Sequence, residues 1–334
     1  MAPDDESGVC FLLNFYLVIF VVNENGIMET VVITGGTGMI GTRLKDRLVQ
    51  KGYRVIILTR NTPAQNNTGT IRYAKWDIEK GTVDQTAIEE ADYIIHLAGA
   101  GVADKRWTEK RKREIVESRT KSGALLVKAM KQYPNKIKAM ISSSAIGWYG
   151  PDTAISKEKG FRETDPADPS FLGETCRQWE AAVSAVADHT RLVVFRTGIV
   201  LSNTGGAFVE FQKPLKARLA TILGNGGQVI SWIHIDDLCR LFIHAIENPE
   251  LAGVYNGVAP DPVTNRHLVI KLAKKMYGRF FLPLCVPAFV LKTMLGEMSI
   301  EVLKSATVSA NKILQTGFVF SYPEIGSAID ELVR

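Results

Sequence analysis

Residues 30–41 read TVVITGGTGMIG: an apolar strand, Thr30 to Thr34, runs into glycines and then into a helical pattern in which Ile40, Leu44 and Leu48 recur at i, i+4 spacing. Gly35, Gly38 and Gly41 have the spacing GxxGxxG. The first allows a tight turn, the second lets the backbone approach a pyrophosphate, and the third lets helix and strand pack closely. The helix N-terminus then offers free N–H groups and the positive end of its dipole to the phosphates. Glycines at this spacing are weak evidence alone. Between a strand and a helix they predict a dinucleotide site held by Gly35, Thr37, Gly38, Met39, Ile40 and Gly41.

The same alternation continues downstream. Strand candidates are Arg54–Thr59, Tyr93–Leu97, Ile137–Ser142 and Leu192–Arg196, with a second helical pattern over Ile115 to Met130. Repeated strand–helix units predict an α/β protein, a Rossmann doubly wound parallel sheet covered on both faces. Past Val200 the pattern turns irregular, with Gly205-Gly206, Gly224 to Gly227, and Pro260, Pro262, Pro283 and Pro287. The expected organisation is an NADP-binding core over 28–200 and a small substrate lobe with a C-terminal region over 201–334, some of whose segments return to the core.

The cofactor preference is read at the second strand's end, Thr59-Arg60, 18 residues beyond Gly41. An NAD site usually places Asp or Glu there, on the ribose 2′-hydroxyl. A guanidinium pairs instead with a 2′-phosphate and stacks on adenine, which points to NADP. The alternative reading of Arg60 is a surface arginine in the loop Arg60-Asn61-Thr62.

The chain has 334 residues, 46% hydrophobic and 22% charged, the composition of a soluble globular protein and not of a disordered or fibrous one. Cys10, Cys176, Cys239 and Cys285 are far apart, so neither a metal site nor a disulfide framework is indicated, and a reducing cytoplasm is the expected location. From Met28 onward there are 40 basic and 31 acidic residues, a formal +9 that suits an anionic ligand. Lys105, Arg106, Lys110, Arg111, Lys112 and Arg113 could suggest nucleic acid, but Glu109 and Glu114 interrupt the run and no nucleic-acid motif accompanies it; a solvated helix start is the better reading. Val9 to Val22 is apolar except for Asn14, too short to span a bilayer and preceded by acids, unlike a signal peptide. Residues 1–27 are therefore expected outside the fold, without stable membrane insertion, with a weak anchor as the rival reading.

Taken in order, Gly35 to Gly41, Trp76-Asp77-Ile78, His96-Leu97-Ala98-Gly99, Ser142-Ser143-Ser144 and Trp232-Ile233-His234-Ile235-Asp236-Asp237 resemble the extended short-chain dehydrogenase/reductases. Lys105-Arg106-Trp107, Glu174 to Glu180, Asn256 to Pro260, Thr316-Gly317-Phe318 and Tyr322-Pro323 are similar to atypical NAD-dependent epimerase/dehydratase-like proteins of the YfcH type. The resemblance covers Met28 to the C-terminus. It implies Asp77 against adenine, Leu97, Ala98 and Gly99 against ribose and pyrophosphate, and Glu114 and Arg119 on a helix facing the cofactor. It also makes an oxidoreductase or epimerase-like activity the leading expectation. The residues alone allow Asp77 to cap a turn and Glu114 and Arg119 to be helix-surface residues, and His96 reads as a satisfied core histidine.

Catalysis departs from the family pattern. Active members of the superfamily use Tyr-x-x-x-Lys, and no tyrosine here has Lys four residues on. Aligning Trp179-Glu180 with the usual helix puts Leu172 and Cys176 at the two positions, and neither replaces the pair. Ser144 is the candidate catalytic hydroxyl, Tyr149 a second donor, and Glu174 and His234 polar groups near the expected cleft. Two functions stay open: an NADP-dependent enzyme on a small polar substrate, or a non-catalytic NADP-binding regulator or scaffold, since some relatives of this type are linked to cell division. Substrate, direction of hydride transfer and oligomeric state are not legible.

Overall fold

The structure, a computed structural model, describes residues 28–62 and 69–334; the extension reading of residues 1–27 lies outside the described residues. The strands are β1 (Thr30–Thr34), β2 (Arg54–Thr59), β3 (Ile71–Asp77), β4 (Thr82–Val83), β5 (Tyr93–His96), β6 (Ala139–Ala145), β7 (Arg191–Thr197), β8 (Ile199–Leu201), β9 (Leu219–Leu223), β10 (Val229–Ile230), β11 (Trp232–His234), β12 (Gly253–Gly257), β13 (Val263–Thr264) and β14 (Leu282–Val286). The helices are α1 (Met39–Gln50), α2 (Gln85–Glu90), α3 (Glu109–Gln132), α4 (Ala154–Lys159), α5 (Phe171–Ser184), α6 (Gly206–Leu215), α7 (Ile235–Glu247), α8 (Asn265–Tyr277), α9 (Ala288–Leu295), α10 (Ser299–Leu303), α11 (Asn311–Leu314) and α12 (Ile325–Leu332).

The main sheet has eight strands in the order β12-β7-β6-β5-β1-β2-β3-β4. Every pairing is parallel except that of the short β4 with β3. This is the Rossmann-type α/β fold expected from the strand–helix alternation. Its two faces follow from the side-chain period of two. Val31 and Ile33 join Val55 and Ile57 under α1 and α7, while Val32, Ile56 and Ile94 face the opposite layer, where α2, α3 and α5 pack with Ile88, Leu126 and Val183. Near-continuous burial of β1, β2 and β5 is what coverage on both sides requires.

The order places β1 beside β5, and the chain leaves them in opposite directions, toward β2 and toward β6. The carboxyl ends of β1 and β5 therefore flank the topological switch point, where such sheets bind ligands. A third apolar cluster, with Phe208, Leu215, Ile222, Trp232, Leu268, Leu272 and Ile329, fills the lobe built from α6, α8, α12 and three two-stranded ladders, β8-β11, β9-β14 and β10-β13. From this later part of the chain β12 returns to the edge of the main sheet.

The bounds of β1 and β2 coincide with the strand candidates. β6 is displaced toward its C-terminal side, running to Ala145 and so carrying Ser144 within the strand. β3 and β12 had no strand signal: Arg72 and Lys75 interrupt the apolar pattern of the first, and Gly253 and Gly257 bracket the second.

Candidate functional site

Gly35 adopts φ +70°, and a Cβ there would lie 2.9 Å from the Leu97 carbonyl carbon and oxygen. Both the turn and the close approach of the β1 and β5 ends thus require glycine. Gly41, in the first turn of α1, is closer still: a Cβ would sit 2.3 Å from Gly35 O and 2.6 Å from Gly36 Cα. Gly38 differs. Its backbone (φ −78°, ψ 175°) suits any residue, and a Cβ would meet only Gly35 O, at 3.4 Å. The fold itself does not need glycine at 38. Gly38 caps α1 with no side-chain hydrogen bond and no acid in the first turn, leaving open, electropositive space before the helix.

Thr34 closes the crevice floor. Its Oγ1 accepts from Leu97 N and Ala98 N, each at 3.2 Å, and lies 2.8 Å from His96 Nδ1. His96 Nε2 lies 3.3 Å from Ser122 Oγ. The ring is fully buried and satisfied, and burial pushes its pKa down to about 4. Gly99 is pressed against Arg119, whose Cζ would be 3.1 Å from a Cβ. Arg119 Nη1 donates to Ala100 O at 3.0 Å and Ile115 O at 2.9 Å, and its guanidinium lies over Trp179. Desolvation lowers its pKa, and among the described residues it has no carboxylate partner. Glu114 is exposed and pairs with Arg111 at 2.7 Å. The hydrogen bond from Arg111 holds that carboxyl below its usual range, while Arg111 Nη2 donates to Gly101 O at 2.5 Å. Glu114 thus acts on the loop through Arg111.

At the end of β2, Thr59 Oγ1 donates to Asn61 O at 3.2 Å, and Arg60 is exposed with no ion pair among the described residues. Asp77 Oδ1 accepts from Glu79 N and Lys80 N, each at 3.1 Å, capping the turn into β4. Met39 packs against the lobe, with its Sδ 3.3 Å from a Cβ placed on Gly205. A cavity of about 560 Å³ borders this contact, lined by Thr37, Gly38, Thr42, Asn203, Thr204 and His234 among others, away from Ser144.

Ser144, buried near the end of β6, donates to Glu180 Oε1 at 2.7 Å. The Arg196 guanidinium grips the same carboxylate, Nε to Oε1 at 2.9 Å and Nη2 to Oε2 at 3.0 Å, and stacks 3.5 Å over the Trp148 ring. Its Nη1 donates to the Tyr149 hydroxyl oxygen at 3.2 Å and to the Glu163 carbonyl at 3.0 Å. The Tyr149 hydroxyl donates to Asn256 Oδ1 at 2.7 Å; the ring is wholly buried, and burial raises its pKa to about 12. Tyr149 is a core residue and not a donor at a cleft. Leu172 and Cys176 stand beside Gly147, and burial pushes the Cys176 thiol up to about 11. Glu174 is half-buried and held at about 2 by hydrogen bonds from Arg177 and then Gln178. His234 caps α7 by accepting from Asp236 N at 3.1 Å, and its Nε2 lies 3.2 Å from Glu331.

The structure thus brings together Gly35 to Gly41, Leu97, Ala98, Gly99 and Arg119. Glu180 and Arg196 were not among the candidates. The available signal was an arginine ending the apolar run Leu192 to Phe195, which has to find a buried acid.

The family model described as NAD dependent epimerase/dehydratase family matches residues 31–257, and a domain of unknown function, DUF1731, matches 286–332. An epimerase family protein of Staphylococcus haemolyticus is 34% identical over 307 residues, which are 92% of this chain and 99% of that protein. The crystal structure of human epimerase family protein SDR39U1 (isoform 2) with NADPH is similar with a TM-score of 0.81 and 32% identity, covering 91% of this chain and 98% of that one. A nucleoside-diphosphate sugar epimerase of Corynebacterium glutamicum has a TM-score of 0.73 at 29% identity, covering 92% of this chain and 59% of that one.

Proposed function

The chain belongs to the NAD dependent epimerase/dehydratase family, and from that premise we propose that it is an NADP(H)-binding oxidoreductase or epimerase-like protein acting on a compact polar small molecule. One observation carries the nucleotide reading: Gly38 is a glycine that its own backbone and neighbours do not require, set before an uncapped helix at the switch point of the sheet. A side chain there would intrude on a ligand and on little else. The human relative crystallised with NADPH supports the same cofactor.

The residues present fit such a group. The backbone of Thr37 to Gly41 would hold the pyrophosphate, the exposed Arg60 the 2′-phosphate, Asp77 the adenine side, and Leu97 to Gly99 the ribose. Arg119 and Ser118 would keep that last segment in place, through Ala100 O and N. When bound, NADP(H) supplies a hydride donor or acceptor. The substrate would lie between the carboxyl edge of the sheet and the lobe after Val200. Ser144 is the proposed catalytic hydroxyl, working through Glu180. Its only proton already points to that carboxylate, so toward a substrate it accepts a hydrogen bond, and a proton taken from substrate passes on to Glu180.

A second reading, a nucleotide-binding regulator or scaffold, is favoured by one feature: no group at the positions of Leu172, Cys176 or Tyr149 releases a proton near neutral pH. The discriminating experiment follows the appearance of NADPH absorbance from NADP over a panel of polar alcohols with the unaltered protein and Ser144→Ala, after titration shows that both bind the cofactor. Slow turnover that falls further in Ser144→Ala supports the enzyme. Binding without turnover supports the regulator, and brisk turnover untouched by Ser144→Ala refutes the role given to the serine.

A further inference from the structure

Between α8 and α10 the chain stays apolar while it runs over the surface. Phe280, Leu282, Phe289 and Met294 are 76%, 61%, 71% and 68% exposed, and Pro283, Leu284, Cys285 and Pro287 are exposed as well. β14 pairs with β9 on one side and with no other strand among the described residues, and α9 buries only Leu291. Single exposed apolar side chains are ordinary, but a run of them marks an interaction surface.

Charge identifies what the surface meets. No Asp or Glu occurs between Glu210 and Asp236 or between Asp261 and Glu297, the two stretches that contribute β9 and β14. Lys216, Arg218, Arg279 and Lys292 are exposed there, without an ion pair among the described residues. Arg218 is fixed beside the apolar ribbon, since its carbonyl accepts from Leu282 N at 2.9 Å and its guanidinium lies 5.6 Å from the Tyr277 ring centre. Neighbouring acids are engaged elsewhere: Glu297 with Lys112 at 2.7 Å, Glu301 with Lys304 at 2.6 Å and Asp330 with Lys275 at 2.7 Å.

We propose that this face docks reversibly on an anionic lipid surface. Phe280, Leu282, Phe289 and Met294 enter the boundary between headgroups and acyl chains, and the four exposed cations meet lipid phosphates. A nucleic acid would satisfy the cations and leave Leu282 and Met294 without partners. Two copies of this chain meeting through the same face would set like charges against each other. No described helix is long and apolar enough to cross a membrane, so the contact is interfacial. It shares no residue with the nucleotide site and does not depend on it.

The test mixes the full chain with vesicles of phosphatidylcholine, or of phosphatidylcholine with phosphatidylglycerol, and measures the bound fraction by flotation at low and high salt. The chain is expected on the anionic vesicles, at least about tenfold less on neutral ones, and to be released by salt. Arg279→Glu with Lys292→Glu, and separately Phe280→Ser with Phe289→Ser, should each weaken binding at least about tenfold. All four side chains are exposed, so circular dichroism melts should match the parent. The proposal is overturned by failure to bind anionic vesicles, by undiminished binding of both double variants, which would assign attachment to the apolar run Val9 to Val22, or by a dimer of the parent that either double variant dissolves.

Discussion

Replacing Gly38 and Gly41 in turn by Ala separates the ligand's demand for glycine from the fold's. At position 38 the backbone is already one that alanine adopts, and the new methyl meets only Gly35 O at 3.4 Å, ordinary contact. Glycine's modest advantage over alanine as an N-cap is offset by the lower unfolded-state entropy of alanine, about 0.4–1 kcal/mol, so the melting temperature should stay within about 2 °C. In the proposed site the same methyl would stand where phosphate oxygens approach the start of α1. Loss of one or two charge-assisted hydrogen bonds, each about 1.5–3 kcal/mol, should weaken NADPH binding by about 10- to 10⁴-fold. Gly41→Ala instead puts a methyl 2.3 Å from Gly35 O and 2.6 Å from Gly36 Cα, so backbone must move. That overpacking costs about 1–3 kcal/mol, and melting should fall by about 2–4 °C for each kcal/mol, with binding weakened as well. Thermal melts and NADPH fluorescence titration of the three proteins give the answer. If Gly38→Ala binds NADPH like the parent, the phosphate site has been misassigned.

Arg60→Ala should lower NADP affinity by about ten- to a hundredfold, from a lost contact of about 1.5–3 kcal/mol, and leave NAD affinity unchanged; equal affinities for the two cofactors in the parent would defeat the assignment. Burial holds His96 at about 4, below its ordinary 6.5, so the neutral ring belongs to the folded state. Stability should therefore be full above pH 6.5 and fall toward pH 4, by on the order of 3 kcal/mol, a slope that urea titrations should find flattened in His96→Gln. Arg196→Met leaves Glu180 buried beside Ser144 without its cation, and chemical denaturation should show a loss of about 3–5 kcal/mol. A chain beginning at Met28 should melt within a few degrees of the full chain, since residues 1–27 precede β1; an insoluble product would contradict the reading of those residues as an extension.

The turn between β1 and α1 was legible because its determinants are local. Gly35 needs its left-handed turn and Gly41 its close approach to Gly35 O within one strand–turn–helix, and both demands follow from local chain geometry. His96 was legible too, since Ile94 and Ile95 place it at a buried strand end, where a satisfied ring is the default. The partner of Ser144 was hidden for the opposite reason. Glu180 lies 36 residues away, on a helix whose rotation against β6 and β7 is set by packing. Tyr149 was read as a second donor beside Ser144, and only the return of β12 with Asn256 shows what occupies its hydroxyl. The exposed ribbon at β14 could not be read either: Phe280 to Val290 has the composition of a core segment, and periodicity does not say whether anything covers it.

The most consequential of these hidden contacts is the exchange of a titratable pair for an ion pair. In the Tyr-x-x-x-Lys arrangement a phenol near a cation is free to trade its proton with substrate. Here the helix offers Leu172 and a thiol held at about 11, and the nearest carboxylate, Glu180, is gripped by Arg196 through both oxygens. A Ser144 proton moved onto Glu180 would neutralise the acid and leave the Arg196 guanidinium in a nearly dry site without its counter-charge. That step runs against the energetics of buried pairs, in which removing one charge costs several kcal/mol. Proton transfer by this proposed route should therefore be slow for the same reason that the network is stable. Glu180→Gln tests the link, because it keeps the shape of the side chain while removing both the negative charge and the proton acceptor. If turnover runs through Glu180, it should disappear while NADPH still binds; turnover that survives this change takes its proton from elsewhere in the cleft.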